Sequence, residues 1–155
     1  MEAIWTSVVA VAGTLLGSVI TYVFQRAASA RAEGFARSEA LRQERIAGFG
    51  AFAAAAEDYR HGQAARWYRG QEDADGPGFV VVRDEAHRLR TLARQALYRV
   101  KLLTDDEGVV RAAENAYRST WDLSNARDQA DWEARDAEAR EAIEAFVSGA
   151  SPLVR

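Results

Sequence analysis

Between Ala3 and Phe24 the chain runs for 22 residues without a charge. A helix of that length, at about 1.5 Å per residue, crosses a hydrocarbon core about 30 Å thick with little tilt. No other stretch limits the fold so strongly, because a segment in lipid must satisfy its own backbone hydrogen bonds and so becomes a helix. A secretory signal peptide would carry a positive n-region and a shorter apolar stretch, whereas Glu2 stands here, and Ala28-Ser29-Ala30 is the only cleavage-like feature. The expectation is an uncleaved transmembrane helix over 3–24, against the alternatives of a cleaved signal or a buried soluble helix.

The flanks orient it. Trp5 and Tyr22 stand at its two ends as an aromatic belt requires, and Arg26, Arg31, Arg37, Arg42 and Arg45 all follow it. A single-pass protein of the cell membrane is expected, N-terminus outside and C-terminal domain cytoplasmic. Projected at about 100° per residue, Thr6, Ala10, Gly13, Thr14, Gly17, Ser18 and Thr21 fall in one arc, with Ala3 and Ser7. Val8, Val9, Leu15, Leu16, Val19 and Ile20 fall in the other. One face then meets lipid and the other meets protein, since small residues let helix backbones approach, and Gly13-x-x-x-Gly17 lies at the centre of the small face. A homo-oligomer joined through the span is expected. Two alternatives stay open: hydroxyls bonded to their own i−4 carbonyls in a solitary span, or a Ser/Thr face lining the lumen of a pore-forming, holin-like oligomer.

Without this segment about 130 residues remain, enough for one hydrophobic core. The net charge is −3, with 20 cations and 23 acids mixed along the chain, so no basic face for nucleic acid stands out. There is no cysteine, which removes disulfides, thiolate metal sites and a cysteine nucleophile. Lys101 is the only lysine among those cations, a bias that looks like GC-rich coding and says little about function.

The sequence predicts an all-α protein, the transmembrane helix continuing into an antiparallel three- or four-helix bundle. No proline occurs before Pro77, so the first helix can run unbroken from the span through a juxtamembrane stalk, 25–45, into a cytoplasmic bundle, 46–147. Phe49, Phe52, Ala56, Tyr59 and Trp67 mark its packing face. "GQEDADGPG" at 70–78 has loop chemistry. Val82, Ala86, Leu89, Ala93, Ala96, Val100 and Leu103 then keep the spacing of a coiled-coil seam, thickened by Leu92 and Leu97, which predicts a helix over about 80–103. "FVVV" at 79–82 leaves a short strand as the alternative. "TDDE" at 104–107 reads as a capping box, with Thr104 as the cap and Glu107 reaching back across a turn at 104–105. A third helix follows, carrying Val109, Val110, Ala113, Tyr117, Thr120, Trp121 and Leu123. It either turns near 124–125 to give a fourth or projects as a coiled coil, and a tail, 148–155, closes the chain.

The chemistry is sparse. His61 and His87 should stand at similar heights on facing helices, with Glu57 and Asp84 each about a turn away, so these four are the candidates for a divalent metal. The di-iron pattern needs more, and surface polar residues are the plainer reading. No triad, phosphate loop or other catalytic set can be assembled, so neither an enzyme nor a cofactor is expected. Trp67 and Tyr68, at the far end of the first helix, and Trp132, isolated among charges, are candidates for docking a cytoplasmic protein partner; closing the end of the core is the alternative role.

Taken together, "WTSVVAVAGTLLGSVITYVFQR", "SEALRQERIAGFGAF" and "RDEAHRLRTLARQALYRVKLL" resemble the small, Arg/Ala-rich single-pass membrane proteins of high-GC Gram-positive bacteria. That resemblance covers the whole chain, implies a membrane location and implies no activity. The functional expectation is a membrane-anchored, non-enzymatic scaffold or adaptor that self-associates through its span and docks a partner, with the pore and a metal-binding bundle as alternatives.

Overall fold

The computed structural model describes the backbone of residues 2–155 and the side chains of residues 22, 24–26, 29 and 31–155. Four α-helices follow one another: α1 (Glu2–Glu72), α2 (Pro77–Leu103), α3 (Glu107–Asp122) and α4 (Gln129–Ala150), with 3-10 turns at Leu123–Asn125 and Ser151–Val154. The chain divides into two compact units, Met1–Ala40 and Leu41–Arg155. In the first, Tyr22, Phe24 and Phe35 are exposed, and Glu33 and Arg37 form a solvated pair one turn apart. The side chains that would define the span and its interface (Thr6, Ala10, Gly13, Thr14, Gly17, Ser18 and Thr21) lie outside the described residues. Among the described residues no helix is long and apolar enough to cross a membrane.

The second unit is an antiparallel four-helix bundle. Cross-helix contacts give the directions. Gly48 lies against Leu103 and Gly62 against Leu89, so α1 and α2 run opposite ways. Lys101 pairs with Glu114 while Arg90 covers Trp121, which sets α3 antiparallel to α2. Phe52 meets Phe146 near one end, and Arg60 meets Asp136 further along, which sets α4 antiparallel to α1. α3 lies diagonally across from α1, with Tyr59 and Tyr117 facing each other. The core consists of Phe49, Phe52, Ala56, Leu97, Val100, Val109, Ala113, Ile143 and Phe146, all buried. Phe146 stands edge-on to Phe52 at 4.8 Å and to Phe49 at 6.0 Å, the T-shaped geometry that aromatic quadrupoles favour.

The predicted seam of α2 is present and divided in two. Ala86, Ala93 and Val100 are buried, whereas Val82, Leu89, Ala96 and Leu103, on the adjoining stripe, are half-buried, and Leu92 is exposed. That half-buried stripe faces α1 where α1 has little side chain: Gly48 opposite Leu103 and Gly62 opposite Leu89, each two heptads apart. A Cβ at Gly62 would sit 2.6 Å from a Leu89 methyl, so glycine there gives the leucine its hole.

Several boundaries shift. The unit begins at Leu41 rather than Ile46, because Arg42 donates to the Val154 carbonyl at 3.0 Å and Arg45 to the Leu103 carbonyl at 3.0 Å, while Ile46 is itself exposed. The loop shrinks from 70–78 to 73–76, since α1 continues through Gln71 and Glu72 and Pro77 starts α2, a position where its fixed φ suits a helix and its missing N–H costs nothing. Residues 79–82 are helical, so the strand alternative falls. The cap of α3 is Asp106, which accepts from the Val109 amide at 3.0 Å, and not Thr104, whose hydroxyl accepts instead from the Asp106 amide at 3.1 Å. Glu107 does not reach back; it pairs with Arg111. The turn after Trp121 is real and the bundle has four helices, with Asp128 capping α4 through the Asp131 amide at 2.8 Å. The tail is not loose: α4 continues to Ala150, and Leu153 and Val154 pack against the core.

Candidate functional site

The end of α1 and the start of α4 meet in an aromatic cluster. Trp132, one turn into α4, is only 7% exposed, and the half-exposed Tyr68 ring packs against it at 5.2 Å. Trp67, half-buried, donates its indole N–H to Gln129 Oε1 at 3.5 Å. All three docking candidates are thus brought together, but they differ in what they offer. Tyr68 presents ring surface. Trp132 lies beneath it, and its indole N–H is buried with no acceptor among the described residues. A buried donor left unpaired costs about 1–3 kcal/mol.

Sequence reading alone passed over a second cluster. Arg90 of α2 lies over the Trp121 ring at 4.3 Å and donates to the Tyr117 hydroxyl at 3.4 Å. The hydrogen bond to Tyr117 is the main reason the Arg90 guanidinium holds its proton more firmly than usual. Tyr59, 2% exposed, is pushed up to about 12 by burial, which Arg90 partly opposes. Gln63 donates weakly to the Tyr59 hydroxyl and to the Trp121 carbonyl, each at 3.4 Å. The available signal was Tyr117-x-x-x-Trp121 at helical spacing with an arginine on a facing helix.

Beside the first cluster runs an ion network centred on the buried Asp136. Arg60 Nη1 lies 2.6 Å from Asp136 Oδ1 and its Nε 2.9 Å from Glu57 Oε2, while Arg140 takes the other Asp136 oxygen at 2.7 Å. Burial works against the Arg60 charge, and its hydrogen bonds to Asp136 and Glu57 more than offset this, so its pKa is raised. The network accounts for Glu57, one of the metal candidates. Asp84 pairs with Arg83, and both histidines are exposed, His61 lying beside the Arg60 guanidinium. Among the described residues no group of three or more His, Asp or Glu is placed to hold a metal ion.

A groove runs between α1 and α4 on the outer face of the bundle. Two adjoining hollows of about 540 and 340 Å³ share Ala53 and Val147. Ile46, Gly50 and Ala150 line one end of the groove, Glu57 and Glu144 the other.

Neither the curated proteins nor the solved structures give a match to this chain. A family model described as KilB plasmid transfer protein matches residues 46–154. The match covers most of the chain, runs through all four helices and contains both aromatic clusters, the ion network and the groove. By that match the chain belongs to the KilB plasmid transfer protein family.

Proposed function

We propose that the chain is a membrane-anchored, non-enzymatic helical adaptor of plasmid transfer. In this reading residues 3–24 cross the cell membrane with the N-terminus outside and associate with other copies through the small face around Gly13 and Gly17. The bundle, on the cytoplasmic side, docks a protein partner at Tyr68 and Trp132. The observation that carries the docking surface is the Tyr68 ring, half-exposed and packed on the buried Trp132. Aromatic anchors of this kind dominate protein interfaces. The anchor rests on the 22 uncharged residues and the arginines that follow them. The link to transfer rests on the family.

Because the chain has no cysteine, single cysteines report topology cleanly. A membrane-impermeant maleimide should label Glu2→Cys on intact cells and reach Gly149→Cys only after the cells are opened; labelling of Gly149→Cys on intact cells rejects the orientation. Gly17→Leu should weaken self-association of the full chain in detergent, and unchanged association removes the span from that role. For docking, Tyr68→Ala should lower plasmid transfer between cells about tenfold while protein level and helix content stay at wild type. Undiminished transfer would exclude this surface. The breadth of the Ser/Thr face favours one further reading, a lumen: ion flux through liposomes carrying the protein, lost with Thr14→Leu or Ser18→Leu, would support it, and tight liposomes would end it.

A further inference from the structure

The bundle carries an unpartnered apolar ridge as well as the unpartnered α1/α4 groove. On α2, Arg94, Tyr98 and Leu102 stand four residues apart and so form one stripe. Tyr98 is 54% exposed and Leu102 86%, the most exposed large apolar side chain among the described residues. Arg94 is exposed and has no ion pair among the described residues. The groove is the counterpart. Its floor is low, because Gly50 and Ala53 carry little or no side chain, and its rims are Ile46 (42% exposed) and Val147 (50% exposed). It is acidic at one end only, where Glu57 is occupied by Arg60 and exposed Glu144 has no ion pair among the described residues.

We infer that the ridge of one copy seats in the groove of the next. Shape, length and charge agree. At about 1.5 Å per residue, Arg94 to Leu102 spans about 12 Å and the groove wall from Glu144 to Ser151 about 10 Å. With Arg94 at Glu144, the partner's α2 runs parallel to α4 and antiparallel to α1, Tyr98 lies over Gly50 and Val147, and Leu102 fills the apolar end beside Ile46 and Ala150. This is the helix-in-groove mode, with i, i+4 and i+8 anchors. Ridge and groove are different surfaces, so the contact is heterologous: each copy holds two neighbours, and the assembly extends into a ring or a filament rather than stopping at a dimer. The ridge and groove use none of the residues assigned to the span or to the Tyr68 cluster, so this inference stands or falls separately from the proposed docking role.

Cross-linking tests the register directly. Full-length Tyr98→Cys and full-length Gly50→Cys are mixed and oxidised; a Cβ at Gly50 meets nothing within 4 Å, so that substitution is accommodated. The expected product is a disulfide between positions 98 and 50, formed only in the mixture. Disulfides between two copies of position 50, or none in the mixture, overturn the inference. Adding Glu144→Arg to the Gly50→Cys chain should reduce the yield about tenfold, and adding Arg94→Glu to the Tyr98→Cys chain should restore it. Absence of that restoration assigns any cross-link to another arrangement and also overturns the inference. Span-mediated association alone produces neither the positional selectivity nor the charge-swap rescue.

Discussion

Asp136 shows what a single buried charge does in this bundle. It takes an α4 seam position that the neighbouring Trp132, Ala139 and Ile143 mark as inward-facing, and it is tolerated there because Arg60 and Arg140 each bond one of its oxygens. Replacing a buried pair by apolar groups is often harmless, but removing one partner leaves the other charge stranded. Asp136→Ala should therefore cost about 3 kcal/mol in urea unfolding, and the Asp136→Ala/Arg60→Leu double variant should recover part of that loss. Tyr59 gives a prediction in pH. Its folded pKa of about 12 lies above its ordinary value of 10.0 because burial favours the neutral phenol. Below pH 10 the phenol is neutral in both states and its stabilising burial counts in full. As pH rises through 10 toward 12 the unfolded chain ionises first, and on the order of 2 kcal/mol of stability is lost. Stability curves of wild type and Tyr59→Phe should coincide near pH 8 in slope and diverge above pH 10, with wild type falling faster. The sequence alone could not reveal either residue's role. Tyr59 was legible as a core position, but nothing in its spacing announced Arg90 or Tyr117, and Asp136 read as one more charge in a charged stretch.

At the scale of elements, the signals that worked were local ones. Pro77 and the acids and glycines around it stop α1 and start α2 within a few residues of where their chemistry says, and the 4-3 spacing of Val82 to Leu103 gave α2 its inward face. The cap of α3 stands two residues past the expected Thr104, since Thr104 and Asp106 are both competent caps and "TDDE" fits a box. The choice falls to Asp106 because α2 continues through Leu103 and the chain needs Thr104 and Asp105 to reverse direction. Asp106→Ala should lower stability by about 1 kcal/mol, while Glu107→Ala, which removes only the solvated pair with Arg111, should change it by no more than a few tenths. Equal losses in thermal unfolding would restore the capping box. α4 was the least legible helix. Its seam of Trp132, Asp136, Ala139, Ile143, Phe146 and Ala150 keeps helical spacing, but an acid and two alanines stand where large apolar residues would have made the period visible.

At the scale of the molecule, Phe146 ties the last helix to the first. Its ring is fully buried between Phe49 and Phe52, so Phe146→Ala should remove about 3–5 kcal/mol, a large part of the stability of a domain this size. Helix content and tertiary signal of residues 41–155 should then be lost together on mild heating. Loss of α4 alone would mean that the four helices are not one cooperative unit. The sequence by itself determined the all-α class, the order of the helices, the main breaks and the inward face of α2, because those follow from interactions within a few residues: 3.6-residue periodicity, proline and caps. Only the tertiary structure decided which side chains meet across helices. It paired Gly48 and Gly62 with Leu103 and Leu89, gave Asp136 to Arg60, buried Trp132 under Tyr68, and left Leu102 and the α1/α4 groove uncovered. Such pairings depend on the relative rotation and height of whole helices, which no short window of sequence encodes.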